Sequence, residues 1–177
     1  MCSMDTFKID LKGLKEDSTT LEYSLDKGFF EAIDAPDVRS GELRTQVVVN
    51  RSSGFFKLRF HTVGILHVPC DLCLDDMDLP IDTADEILVK FGEDYREEDD
   101  VIVIAEDEGI LDVAWLIYEF IALAIPIKHV HAPGKCNPAM SKLLEEHSAA
   151  RSGEQEGEKA IDPRWEKLRD LKMKSEE

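Results

Sequence analysis

The stretch from Leu43 to Val68 limits the fold more than any other part of the chain. Leu43 to Asn50 centres on Val47-Val48-Val49, a β-branched run that suits a pleated strand. Arg51-Ser52-Ser53-Gly54 is turn chemistry. The chain then returns as Phe55 to Val68, where Phe56, Leu58 and Phe60 share one face and Lys57, Arg59 and His61 the other. Two such runs across a short turn predict an antiparallel hairpin with one face toward a core.

More strands surround it. Thr6 to Leu11 and Leu21 to Leu25 alternate apolar and polar residues. Met77 to Asp82 reads as a short strand interrupted by Pro80, and Ala84 to Phe91 as another. Gly92 to Asp100 reads as an acidic loop, and Val101 to Ile104 as a short buried strand. The expected fold class is α+β, a curved antiparallel sheet of five or six strands, half-barrel or sandwich-like. One buried helix should back it. Gly28 to Ile33 suits a short helical turn. Asp112 can cap a helix over 113–124, apolar on almost every side and stopped by Pro126. Pro138 to His147 suggests a further helix. This predicts one domain over 1–147. A flexible polar linker over 148–160 and an amphipathic helix over 161–174, begun by Asp162 and Pro163, should follow.

The formal net charge is -17. Direct coating of a nucleic-acid backbone needs clustered Lys and Arg, so a basic partner fits this chain better. The apolar stretch from Val113 to Ile127 is interrupted by Glu119 and is shorter than the roughly 20 residues that a membrane-spanning helix requires. No secretory leader is visible, and four cysteines at positions 2, 70, 73 and 136 do not form a secreted disulfide framework. The expected compartment is the cytoplasm, with no membrane contact.

Cys70 and Cys73 form a Cys-x-x-Cys pair, which three readings can explain. A metal clip needs four ligands, and Cys136, His129 and His131 could complete it. A thiol redox centre needs an activated thiolate, which a helix N-terminus favours and which Asp71, Asp75, Asp76 and Asp78 should oppose. A tight turn packing its cysteines as small apolar residues needs no chemistry. No phosphate loop, nucleophile elbow, His-Glu-x-x-His motif or paired-carboxylate arrangement accompanies it, so nothing points to an enzyme or a small-molecule substrate. In the last helix Arg164, Trp165, Lys167 and Leu168 form a candidate partner-binding face, mildly basic in an acidic chain.

The features also have a recognisable order. Val-Pro-Cys-Asp-Leu-Cys-Leu at 68–74 is followed by Leu-Asp-Val at 111–113, the helix end Leu-Ala-Ile-Pro at 123–126, and Asp-Pro-Arg-Trp at 162–165. This series, spanning roughly Phe7 to Lys172, resembles the YceD-like family of large ribosomal RNA subunit accumulation proteins. The resemblance implies a non-enzymatic role in accumulation or processing of 23S rRNA and in assembly of the large ribosomal subunit. The implied partner is a ribosomal protein or a precursor particle, with RNA contact indirect. Many members of that family carry a second cysteine cluster after the helix. Here only Cys136 stands in its place, with His129 and His131 nearby, and histidines can replace thiolates around zinc.

Overall fold

The computed structural model describes residues 4–36, 38–98 and 101–147. The linker expected over 148–160 and the helix expected over 161–174 lie outside them, with Arg164, Trp165, Lys167 and Leu168. The chain up to Ser141 forms one compact unit, and a second begins at Lys142.

The fold is α+β. A six-stranded open sheet has the order β2 (Ser18–Leu25), β3 (Ser40–Ser52), β4 (Phe55–Pro69), β5 (Asp76–Gly92), β7 (Val101–Ala105), β6 (Arg96–Glu98), and a separate two-stranded sheet pairs β1 (Lys8–Asp10) with β8 (Ile110–Asp112). The expected hairpin is present, longer than its sequence signal. It joins β3, Ser40–Ser52, to β4, Phe55–Pro69, through Ser53 and Gly54. Gly54 has a φ of 91°, which only glycine adopts at little cost. Strand β2, Ser18–Leu25, adds to the free side of β3.

Three segments depart from expectation. Thr6 to Leu11 is not one strand. A single 3₁₀ turn, Met4–Phe7, leads into a three-residue β1, Lys8–Asp10. The two short strands expected on either side of Thr83 are one strand, β5, Asp76–Gly92. Pro80 does not break it, because β5 pairs beyond β4 only at Leu88–Gly92, with β7, Val101–Ala105. Over the rest of its length no described strand faces the far side of β5, so no ladder there needs the missing N–H. The acidic loop contains a third surprise, β6, Arg96–Glu98, held antiparallel to β7. Strand β7 itself runs parallel to β5, so the sheet is mixed.

The core lies on one face of this sheet. Alternation puts Val47, Val49, Leu58, Phe60, Leu66, Val68 and Val89 there, all fully or nearly buried. Helix α1, Lys27–Ala32, contributes Phe29 and Phe30, and its N-terminus is capped by Asp26, whose carboxylate accepts from Phe29 N–H at 3.1 Å. Phe7 stacks on Tyr23 and packs at a tilt against Phe29, with ring centroids 5.0 and 4.9 Å apart. Strand β8, Ile110–Asp112, leads into α2, Ala114–Ala124. The N-cap position falls to Val113, which makes no side-chain cap bond, and Asp112, one residue earlier, instead accepts from Ala114 N–H at 2.9 Å. Helix α2 buries Ala114, Ile117, Tyr118 and Ile121, and its Phe120 ring lies 5.1 Å from Phe60. It is not buried all round, however: Trp115 and Leu123, eight residues apart on one stripe, stay exposed. Helix α3, Pro138–His147, follows. Among the described residues no helix is long and apolar enough to cross a membrane.

One polar pair sits inside the core. Thr45 and Thr62 are opposite each other on β3 and β4, both buried, with hydroxyls 2.8 Å apart. Thr45→Val is therefore expected to cost about 1–3 kcal/mol, because it leaves the Thr62 hydroxyl buried without that partner. Replacing both by Val should be close to neutral. Chemical denaturation of the three variants checks this, and an additive double variant would show that the two hydroxyls do not depend on each other.

Candidate metal centre

Pro69 ends β4, and residues 70–75 turn the chain into β5. Two backbone bonds close the turn. Cys70 N–H donates to Asp75 O and Leu74 N–H to Cys70 O, each at 2.9 Å. Leu74 takes a φ of 61° to do this, a conformation that costs an L-residue about 1 kcal/mol. The tightness of the turn directs both thiols inward, so Cys70 and Cys73 are 0% and 2% exposed.

The second half of the site arrives from α2. Ile125 is extended (φ -70°, ψ 123°), so the helix stops and residues 126–137 fold onto the turn. Asp71 fastens this loop. Its N–H donates to His129 O at 3.0 Å, and its carboxylate accepts from His129 N–H at 2.6 Å. Asn137 fastens the far end, donating from its side-chain amide to the Asp75 carboxylate at 3.1 Å.

Between these fasteners, Cys70, Cys73, His131 and Cys136 each present one ligand atom, and the four atoms lie within 4.8 Å of one another. Cys70 Sγ is 3.9 Å from Cys136 Sγ, and Cys73 Sγ is 3.3 Å from His131 Nδ1. The three cysteines are free thiols. Tetrahedral zinc, with bonds of about 2.3 Å to sulfur and 2.0 Å to nitrogen, sets its ligand atoms about 3.5–3.8 Å apart. The donors and their spacing thus fit a Cys₃His site. Of the five residues that the sequence nominates, the fold brings together four. His129 is the exception. Its ring faces the Asp71 carboxylate at 3.7 Å and the Pro126 carbonyl at 3.1 Å, so it braces the loop instead of entering the cluster.

The electrostatics also differ from expectation at Cys70. Burial pushes this thiol up. The N–H groups of Cys73, His131 and Leu72, with the His131 side chain, more than offset burial and bring it down to about 6. The Leu72 N–H lies 3.4 Å from the sulfur. The neighbouring aspartates do not dominate, because Asp71 and Asp75 are turned to His129 and Asn137. Cys136 moves the other way, up to about 11, through burial and through its contacts with the Cys70 and Cys73 sulfurs and their charge. Three thiolates cannot share so small a space without a cation, and a divalent ion would supply one.

The remaining histidines of the sheet have plain roles. On β4, His61 is 3.0 Å from Asp82 and His67 is 2.8 Å from Asp78, both across the ladder to β5.

A family model described as "Large ribosomal RNA subunit accumulation protein YceD" matches residues 58–172, more than half of the chain. The chain belongs to the YceD family. No curated protein matches it, and neither does any solved structure. The part matched by the YceD model starts inside β4 and contains all four converging ligands. It leaves out β1, β2 and β3, although β3 pairs with β4 along thirteen consecutive residues. The YceD name connects the chain with accumulation of large-subunit ribosomal RNA.

Proposed function

We propose that this chain is a non-enzymatic ribosome-biogenesis factor of the cytoplasm. It supports accumulation and processing of 23S rRNA during large-subunit assembly by binding a basic partner, a ribosomal protein or a precursor particle. The observation that carries this reading is the YceD match. The charge supports the partner class, since a chain of net charge -17 attracts basic proteins and repels a bare phosphate backbone. Zinc held by Cys70, Cys73, His131 and Cys136 has a structural part in this reading. It fixes the loop after α2 against the turn between β4 and β5.

Removing the protein from cells is expected to lower mature 23S rRNA at least twofold relative to 16S rRNA. Tagged protein purified at low salt is expected to bring large-subunit proteins with it. Unchanged 23S rRNA together with no copurified large-subunit protein would overturn the proposal. A second reading, a zinc-stabilised interaction module serving some unrelated process, draws on the Cys₃His cluster itself. It gains if the metal is present and the rRNA is unaffected. Thiol redox chemistry through Cys70 and Cys73 is disfavoured by their burial, since a substrate disulfide must reach the attacking sulfur.

A further inference from the structure

Leu74 combines two unfavourable features. It occupies left-handed backbone, where glycine is at ease, and its side chain is 65% exposed. A glycine there would relieve the backbone and expose less apolar surface. The turn accounts for the backbone, but an exposed leucine kept where glycine would serve points to a role for the side chain outside the fold. Leu72, on the same turn, is 43% exposed, because the inward positions are taken by the two thiols. The segment fastened to this turn by the Asp71–His129 bonds carries Ile127, fully exposed, and the end of α2 just before it carries Leu123, 82% exposed. Four large aliphatic side chains therefore face solvent on two segments that the Asp71–His129 bonds hold together. Single exposed apolar residues are ordinary, but four on two joined segments are more than chance scatter and suit an interaction site.

The charge around it selects the partner. Asp71, Asp75, Asp76 and Asp78 flank the two leucines in sequence. A nucleic acid or an acidic protein would be repelled there, as would a second copy presenting the same acids. We propose that Leu72, Leu74, Leu123 and Ile127 form the docking surface for a Lys- and Arg-rich protein segment that inserts apolar side chains among them. This rests on the basic-partner reading above and assigns it a place. The aliphatic side chains would supply affinity, and the acids would steer the encounter and set salt dependence.

The test uses the full-length protein, immobilised, and the total protein acid-extracted from purified large ribosomal subunits as the probe. Wild type is expected to retain one or a few basic proteins, identified by mass spectrometry, and to release them as salt is raised. Leu74→Gly with Ile127→Ser should lower retention at least tenfold. Leu74→Gly suits the backbone, so the single variant should melt no lower than wild type and keep its metal. Melting and metal analysis thereby separate a lost surface from a lost fold. Retention equal to wild type in the double variant overturns this surface and leaves the basic-partner reading standing. No retention by wild type overturns both. Retention of naked 23S rRNA that the double variant loses would overturn the surface as a protein site. A wild-type dimer that Ile127→Ser splits in sedimentation would make it a contact between copies, and would overturn the proposal as well.

Discussion

Purified without chelators, the protein is expected to carry about one zinc per chain, and Cys136→Ser is expected to bring that close to zero. The expectation follows from four ligand atoms within 4.8 Å, three of them sulfurs. Thiolate-rich sets of this kind select zinc over the harder cations. Serine keeps the shape of cysteine but offers no soft anion, so the variant tests the bond and not the packing. The two sides of the site are 66 residues apart in sequence at Cys70 and Cys136. Losing a link across so long a loop should cost about 2–4 kcal/mol, less where the strands already hold the loop closed. The melting temperature should fall by about 5–15 °C. Chelation of the wild type should lower it similarly, and acid should release the metal because protons compete for its ligands. His129→Ala is the control. It should keep the metal, because His129 braces Asp71 and lies outside the cluster. Metal analysis by mass spectrometry reads all of these. Full zinc in Cys136→Ser, or loss of zinc in His129→Ala with full zinc in His131→Ala, would show that the ligand set is wrong.

Gly64→Ala is expected to destabilise the protein by about 3–5 kcal/mol, the largest effect of any glycine-to-alanine change among the described sheet residues. Gly64 lies in mid-β4, between Leu43 of β3 and Ile81 of β5. Its φ is 153°, in a region that glycine alone adopts freely. A Cβ there would lie 2.2 Å from the Glu42 carbonyl oxygen and 2.5 Å from Leu43 Cα. Both are backbone atoms of a paired strand and cannot swing aside. Gly54→Ala provides the comparison. Its φ is also positive, at 91°, but nothing lies within 4 Å of the added methyl, so only the backbone cost of about 1 kcal/mol remains. Urea denaturation should show a clear gap between the two. Equal costs would show that β3 and β4 do not approach so closely at Gly64.

What the sequence discloses depends on how local the cause is. Strands β3 and β4 are legible because one face of each is buried, so burial writes alternation into neighbouring residues. Strand β6 is not, because Arg96 and Glu97 are exposed and their strand state comes from β7. Pro80 misleads because a proline is excluded only where a neighbour needs its N–H, and that depends on which strands lie alongside. The pairing of Ile9 with Leu111 joins residues too distant for any local pattern to register. Helix α2 reads as buried on all sides from composition alone, whereas the sheet covers only one of its faces and Trp115 and Leu123 remain outside.

The centre divides in the same way. Cys70 and Cys73 announce a two-ligand turn by spacing. The choice of His131 over His129 rests on the path of the loop after Pro126, which sequence does not reveal. The low Cys70 thiol was hidden for a similar reason. The charges of Asp71 and Asp75 are visible in the sequence, whereas the direction of three backbone N–H groups is not.

The long side of β5 that no described strand pairs with bears on how the protein behaves when concentrated. A strand row open on one side invites a second copy to extend the sheet, which is a common start of aggregation. Pro80 lies in that row without an N–H to give, and Asp76, Asp78, Asp82 and Glu86 are exposed along it. Two copies brought edge to edge would set these acids against their counterparts and lose a bond at the proline. This edge is therefore poorly suited to sheet extension, and raised salt, which screens the acids, is expected to weaken that protection.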